Sequence, residues 1–399
     1  MPPADRPAVS TVFKEFLRLG LGCFGGPMAH LGAFHRRFVT RLGWLDEHSF
    51  ADLVGLCQFL PGPASSQVGF AIGLTAAGLP GAVAAWLGFT LPSAALMLAF
   101  AHYAAGAAAP WQNALFHGLK LAAVAIVAQA VIGMARALCQ GRLQAGIALS
   151  AAAILAALGW SFSVEFAVLI LGGVLGMLWL TPLEKGATIS YMALISKVLQ
   201  PKHALFSLAV FLGLLLASFL LPQPFWRFFR AGALVFGGGH VVLPLLQGFF
   251  VENHAISPSL FMSGYGAAQM MPGPLFSFAA FLGAVLPPPA TGGLTGGLLG
   301  LLGVFLPGLL LLLAALPFWA AIGRWQRARA ALAGVNAAVV GVLGMAFYNP
   351  VFTSAVLDGR DLAQALLLYA LLTAARLPPI LVVGGSALAA LARYFIPAF

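Results

Sequence analysis

Long charge-free apolar runs alternate along the chain with short breaks rich in Gly, Pro and polar residues. Leu79–Ala101, Leu143–Val164, Phe166–Leu183 and Ala204–Trp226 are such runs. Each is long enough to cross a hydrocarbon core of about 30 Å as a helix. The pattern predicts two interrupted segments, 10–42 and 48–78, then helices near 80–106, 111–138, 142–159 and 163–181. After one helix near 203–222 the series returns at 225–252, 258–287, 290–320, 328–348, 362–375 and 378–396.

The return is a sequence repeat. "CQFLPGPASS" at 57–66 comes back as "AQMMPGPLFS" at 268–277, and "CFGGPMAHL" at 23–31 as "VFGGGHVVL" at 235–243. "FTLPSAALML" at 89–98 matches "VFLPGLLLLL" at 304–313, and "FHGLKLAAVAIV" at 116–127 matches "LAGVNAAVVGVL" at 332–343. Four motifs in the same order divide the chain into a first repeat, 1–182, and a second, 225–399. A cytoplasmic linker with one transmembrane helix, 183–224, is expected between them.

Composition turns these apolar runs into membrane helices. Hydrophobic residues make up 61% of the chain and charged ones 8%, against about a quarter charged in a soluble domain. The mean hydropathy is +0.98. The fold class read from this is an all-α polytopic membrane protein. The first residues, "MPPADRPAVSTVFKEFLRLG", lack the apolar core and cleavage site of a signal peptide, so a cytoplasmic N-terminus is expected. Cys23, Cys57 and Cys139 are scattered, which argues against a disulfide framework or zinc site. The net charge of +10 comes without a basic run interleaved with aromatics, so it marks cytoplasmic loops and not a nucleic-acid surface.

Six elements per repeat is an even number, so a lone linker helix inverts the second repeat. Loop charge agrees. The loop holding Arg36, Arg37 and Arg41 corresponds to "FFVENHAISP", which has no Lys or Arg. The uncharged "AGAAAPWQ" corresponds to "IGRWQRARA", which has three arginines. Inverted repeats with broken helices are the architecture of secondary transporters. The C-terminus is then expected on the periplasmic side of the inner membrane.

The breaks carry the candidate chemistry. Irregular backbone at membrane depth survives only inside protein or against a polar cavity. Gly25 and Gly26, Gly62, Gly237 and Gly238, and Gly273 lie in four such breaks. Proline stops one helix and suits the first turn of the next. The residues after Pro63 and Pro274 thus sit at helix N-termini, which favour anions. Ser65, Ser66 and Ser277 add hydroxyls there, so these breaks are read as an oxyanion site. Gln58 and Gln269, three residues before each Pro-Gly-Pro, suit bridging helices or contacting substrate. Lys120, about 15 Å into its helix, has Asn336 as its repeat partner and suits one anion shared by both repeats; snorkelling to an interface is the other reading. Arg18 and Arg230 precede the Gly-rich breaks by the same interval and suit either oxyanion contact or interfacial anchoring. Asp52 and His240 are candidates for proton coupling.

These residues carry a resemblance. "FLRLGLGCFGGPMAHLGAFHRRFV", "GWLDEHSFADLVGLCQFLPGPASSQ", "GAAQMMPGPLFSFAAFLGA" and "LAGVNAAVVGVLGMAFYNPVFTSAV" resemble the signatures of the chromate ion transporter family, in its long two-domain form. Pro63 is followed here by Ala-Ser-Ser, where an Asn-containing stretch is usual. The resemblance implies proton-motive export of chromate from the cytoplasm and chromate resistance. Transport or channel conduction of sulfate or another oxyanion is the alternative. Expected partners are the oxyanion and the bilayer, with a homodimer allowed and no nucleic acid. No cofactor is expected, because no CxxCH, cysteine cluster, HExxH or dinucleotide fingerprint is present.

Overall fold

A helix satisfies its backbone polar groups within its own segment, which suits a chain this apolar. Among the described residues every regular element is helical. The computed structural model describes residues 7–24, 26–105, 110–159, 162–180, 199–236, 239–287, 292–319 and 325–396. The first series is α1 (Val9–Gly22), α2 (Gly26–Phe34, continued by a π-helical turn His35–Arg41), α3 (Glu47–Phe59), α4 (Ala64–Ala105), α5 (Pro110–Leu138), α6 (Arg142–Leu158) and α7 (Phe162–Trp179). Then comes α8 (Pro201–Leu220). The second series is α9 (Pro224–Leu234), α10 (Val242–Phe250), α11 (Pro258–Ala268), α12 (Phe278–Val285), α13 (Gly293–Ala315), α14 (Gln326–Ala346, continued by Phe347–Phe352), α15 (Gly359–Thr373) and α16 (Pro379–Phe395). Matched caps open matched helices: Asp46 accepts from the Ser49 N–H before α3, and Ser257 from the Leu260 N–H before α11.

The interrupted segments are re-entrant hairpins. Phe16 stacks on Phe38 with ring centroids 4.6 Å apart, and Arg37 Nε donates to Glu15 at 2.7 Å. Were α1 and α2 continuous, these residues would be separated by about 30 Å of helix. The second repeat does the same, with Phe228 and Phe250 at 4.5 Å. Phe261 of α11 likewise meets Phe278 of α12 at 5.1 Å. A second reversal follows inside α4, where Ala77 leaves helical dihedrals and Gly78 takes φ +67, separating arms 64–76 and 79–105. Gly73 and Gly81 face each other across that turn with no room for side chains. Gly283 against Gly296 is the counterpart between α12 and α13.

Hairpins return to the face they leave, so they do not alter the parity of crossings. Four helices follow in each repeat: the second arm of α4 with α5, α6 and α7, and then α13 to α16. With α8 alone between the repeats among the described residues, the second repeat is inverted. The outer faces are apolar, as a bilayer demands: Leu149 on α6, Phe206 and Leu220 on α8 and Leu388 on α16 are all more than two-thirds exposed.

The repeats are interlaced. Helix α5 packs on α15 and α16 of the other repeat, and α14 packs reciprocally on α6 and α7. Small residues permit the approach. Gly118 lies against the Ser386 carbonyl and Ala387, and its match Gly334 lies against Gly172 and Gly176. Gly341 abuts Ala148 in the same way.

A methyl group at Gly334 would strike the Gly172 and Gly176 backbone, whereas one at Gly344 in the same helix meets nothing within 4 Å. Gly334→Ala is expected to lower stability in detergent by about 1–3 kcal/mol through overpacking, with Gly344→Ala neutral or slightly stabilising. Thermal unfolding of the two variants checks this.

Candidate functional site

The hairpin tips converge. Gly62 and Gly273 sit at φ +125 and +97, which only glycine adopts without strain. Those conformations turn their amides outward, each to the other repeat. Gly62 N–H donates to the Val235 carbonyl at 2.7 Å, and Gly273 N–H to the Cys23 carbonyl at 2.9 Å. Donors and acceptors are themselves repeat matches, so the exchange is two-fold. Pro27 and its match Gly239 lie side by side, a Cβ on Gly239 standing 3.8 Å from Pro27 Cγ. The pseudo-two-fold axis therefore passes between the first hairpins of the two repeats.

Side chains fasten each tip to the proline-containing helix of the other repeat. Gln67 Nε2 donates to the Pro61 carbonyl at 3.0 Å and the Gly308 carbonyl at 2.9 Å. On the other side Ser277 Oγ meets Ser93 Oγ at 2.6 Å and the Pro274 carbonyl. A histidine stands at each junction. His30 Nδ1 is 3.2 Å from Ser65 Oγ. His240 Nδ1 is 2.7 Å from the Tyr265 hydroxyl, with Gln269 beside it. In this conformation the tips are closed on each other: a methyl on Gly62 would come within 2.8 Å of Gly308 Cα.

The expected site residues divide into two groups. Gly26, Gly62, Gly273, Ser65, Ser66, Ser277, Gln269 and His240 lie at or within a turn of the tips. Gly25, Gly237 and Gly238 lie outside the described residues. Gln58 is exposed on α3, and Asp52 is half-buried two turns before the tip of the same hairpin. Lys120 Nζ donates to Ser259 Oγ at 3.4 Å and the Ser354 carbonyl at 3.3 Å, at the base of α11, far from its tip. Arg18 turns back to Glu15 at 3.0 Å and is largely exposed. Arg230 lies over the Phe249 ring at 4.9 Å. Asn336 is in mid-α14 with a buried Oδ1. These contacts hold the three cations away from the tips.

Gln67, Thr90, Ser93 and Tyr265 join the junction without having been singled out from sequence. Only Gln67 borders a quoted break. Ser93 and Thr90 flank Pro92, and their role depends on which helix the opposite tip meets. Chemically, the junction offers helix N-termini, hydroxyls, an amide and two imidazoles, a set suited to a small multivalent oxyanion. A groove of 710 Å³ lined by Val9, Phe13, Pro80 and Leu87 is largely apolar and lies at the other end of α1.

Comparison with known proteins agrees with the two-repeat architecture. The chromate transporter family matches residues 10–177 and again 222–391. A chromate transport protein of Pseudomonas aeruginosa is 31% identical over 86% of this chain and 80% of its own length. One from Cupriavidus metallidurans is 29% identical over 95% of this chain and 92% of its own. An uncharacterised transporter of Methanocaldococcus jannaschii is 26% identical over 80% of this chain and 78% of its own. No solved structure matches the chain.

Alanine at Gly62 or Gly273 must adopt positive φ and press on the opposite repeat, near Gly308 or Phe89 and Ser93 respectively. Each substitution is expected to cost about 1–3 kcal/mol of stability. Because the two positions are symmetric, the losses should be similar. Paired thermal melts of Gly62→Ala and Gly273→Ala in detergent check this.

Proposed function

The chain belongs to the chromate transporter family, and from that premise we propose that it is a secondary transporter carrying chromate out of the cytoplasm. The observation that supports this reading most directly is the reciprocal junction of hairpin tips, where broken helices end in mid-membrane beside buried hydroxyls and imidazoles. Such a junction serves a dianion well. The N–H groups and dipoles at helix N-termini favour negative charge, and neutral donors allow release more readily than paired cations would.

The mechanism we favour is alternating access. The anion reaches the junction from the cytoplasm, and movement of the hairpin tips admits and releases it. The interlacing of α5 and α14 with the opposite repeat favours the hairpins, more than whole halves, as the moving units. The membrane potential helps a dianion leave a negative-inside cell, by about 2.3 kcal/mol per charge per 100 mV. His240 and Asp52 remain our candidates for proton coupling. Export of this kind would confer chromate resistance.

We read the orientation from charge: under the inverted topology Arg36, Arg41, Arg136, Arg142, Arg327 and Arg376 would share one face, which the positive-inside rule assigns to the cytoplasm. Glu252, Asp358 and Asp361 would share the other with the fewer cations Arg227, Arg360 and Arg393. The N-terminus is then cytoplasmic and the C-terminus periplasmic, in the inner membrane.

Two measurements check these statements. Inside-out vesicles containing the protein should accumulate radiolabelled chromate saturably, with loss on adding a protonophore and resistance to excess sulfate. Absence of protein-dependent uptake under any gradient would remove chromate as the substrate, and non-saturating flux would indicate a channel. Alkaline phosphatase fused at the C-terminus should be active in intact cells; an inactive, stably expressed fusion would reverse the orientation.

A further inference from the structure

The backbone of the junction is two-fold, but its chemistry is not. At three positions the first repeat carries a polar group where the second carries an apolar one: His30 matches Val242, Gln67 matches Phe278 and Thr90 matches Phe305, while His240 and Tyr265 of the second repeat match Met28 and Val54. Ser66 and Ser277 are both serines, yet they differ in use. Ser277 Oγ is occupied by Ser93 and the Pro274 carbonyl. Ser66 Oγ is buried, at 2% exposure, with no hydrogen-bond partner.

The two helix starts differ as well. In the second repeat the chain enters α12 through a tight 3-10 turn, Leu275–Ser277, and Ser277 N–H is already bonded to the Pro274 carbonyl. In the first repeat α4 begins directly as an α-helix, its first bond running from Gln67 N–H to the Pro63 carbonyl. The N–H groups of Ala64, Ser65 and Ser66 therefore precede any intrahelical bond. His30 reaches this turn through Ser65. With the Ser65 hydroxyl donating to Nδ1, the neutral ring carries its proton on Nε2. That nitrogen belongs to a residue 1% exposed and has no hydrogen-bond partner, and the ring also borders the Cys23 backbone carbonyl.

We infer that the protein holds its anion on one side of the pseudo-two-fold axis, at the first turn of α4. Ser66 Oγ, His30 Nε2–H and the free amides of that turn are the donors, and the second-repeat counterpart is a closed structural joint. The inference rests on the oxyanion-transport reading and narrows it: the ligand class is a tetrahedral oxyanion bound by neutral donors. It also separates the roles of the two tips. The first holds the cargo, and the second, locked by Ser277 and filled by Phe278, braces the pivot.

Selenate is the probe, as a tetrahedral dianion with an anomalous scatterer. Crystals of the full-length protein grown with selenate should show one selenium peak within hydrogen-bonding reach of Ser66 Oγ and His30 Nε2. Ser66→Ala and His30→Gln should each weaken selenate binding to the detergent-solubilised protein by about ten-fold or more, as loss of a hydrogen bond to a charged group does. Ser277→Ala should weaken it less and should lower the melting temperature. A peak at the Leu275–Ser277 turn or on the axis, or no peak at the α4 turn, overturns the inference, as does an equal loss of affinity in the Ser66 and Ser277 variants. Chromate flux in vesicles is scored separately. A peak at α4 without chromate flux leaves the site standing and removes the transport reading; flux without that peak does the reverse.

Discussion

A backbone amide left bare in hydrocarbon costs several kcal/mol, and four hairpin tips bring such amides to the middle of this molecule. The solution is an exchange. Gly62 gives its N–H to Val235 and Gly273 gives its N–H to Cys23, so that each repeat satisfies a tip amide of the other. Two short bonds thus set the pseudo-two-fold relation from which the remaining packing follows. The positive-φ glycines are needed to aim the amides, and the prolines beside them end one helix and start the next.

Around that exchange, polar residues are few and each has a definite place. Ion pairs such as Glu15 between Arg18 and Arg37, or His117 beside Asp361 at 2.8 Å, lie toward the bases of the hairpins and the helix ends. The tips themselves are served by hydroxyls, amides and imidazoles. This division is physically sensible. Burying a guanidinium or ammonium at the centre is expensive. Helix termini supply partial positive charge without a mobile counter-charge to desolvate.

Much of this was legible in the sequence, for stated reasons. The repeat, the inversion and the four breaks follow from matched Pro-Gly-Pro and Gly-rich motifs and from an even number of elements, because those features are local. That both interrupted segments re-enter was not legible, since a break at Cys23 to Gly26 reads the same in a kinked crossing helix and in a hairpin. The stacked pair Phe16 and Phe38 decides it for the first segment, and Phe261 against Phe278 for the match of the second. Depth along a helix misled as to position for Lys120: ten residues from a helix start suggests mid-membrane, but α5 begins beyond the base of α11, and the side chain finds Ser259 there. Ser93 and Thr90 escaped notice because their role depends on contact with the other repeat, which no local pattern encodes.

The interlaced glycine faces bear on how the molecule is made. Gly118 of α5 emerges from the ribosome far ahead of Ser386, its neighbour in the finished fold. Until α14, α15 and α16 arrive, α5, α6 and α7 wait in the bilayer with their small-residue faces covered only by lipid. Biogenesis must therefore end in a late locking step, in which α14 enters between waiting helices and both junctions close together. Truncation before α14 would leave the first repeat inserted but unlocked.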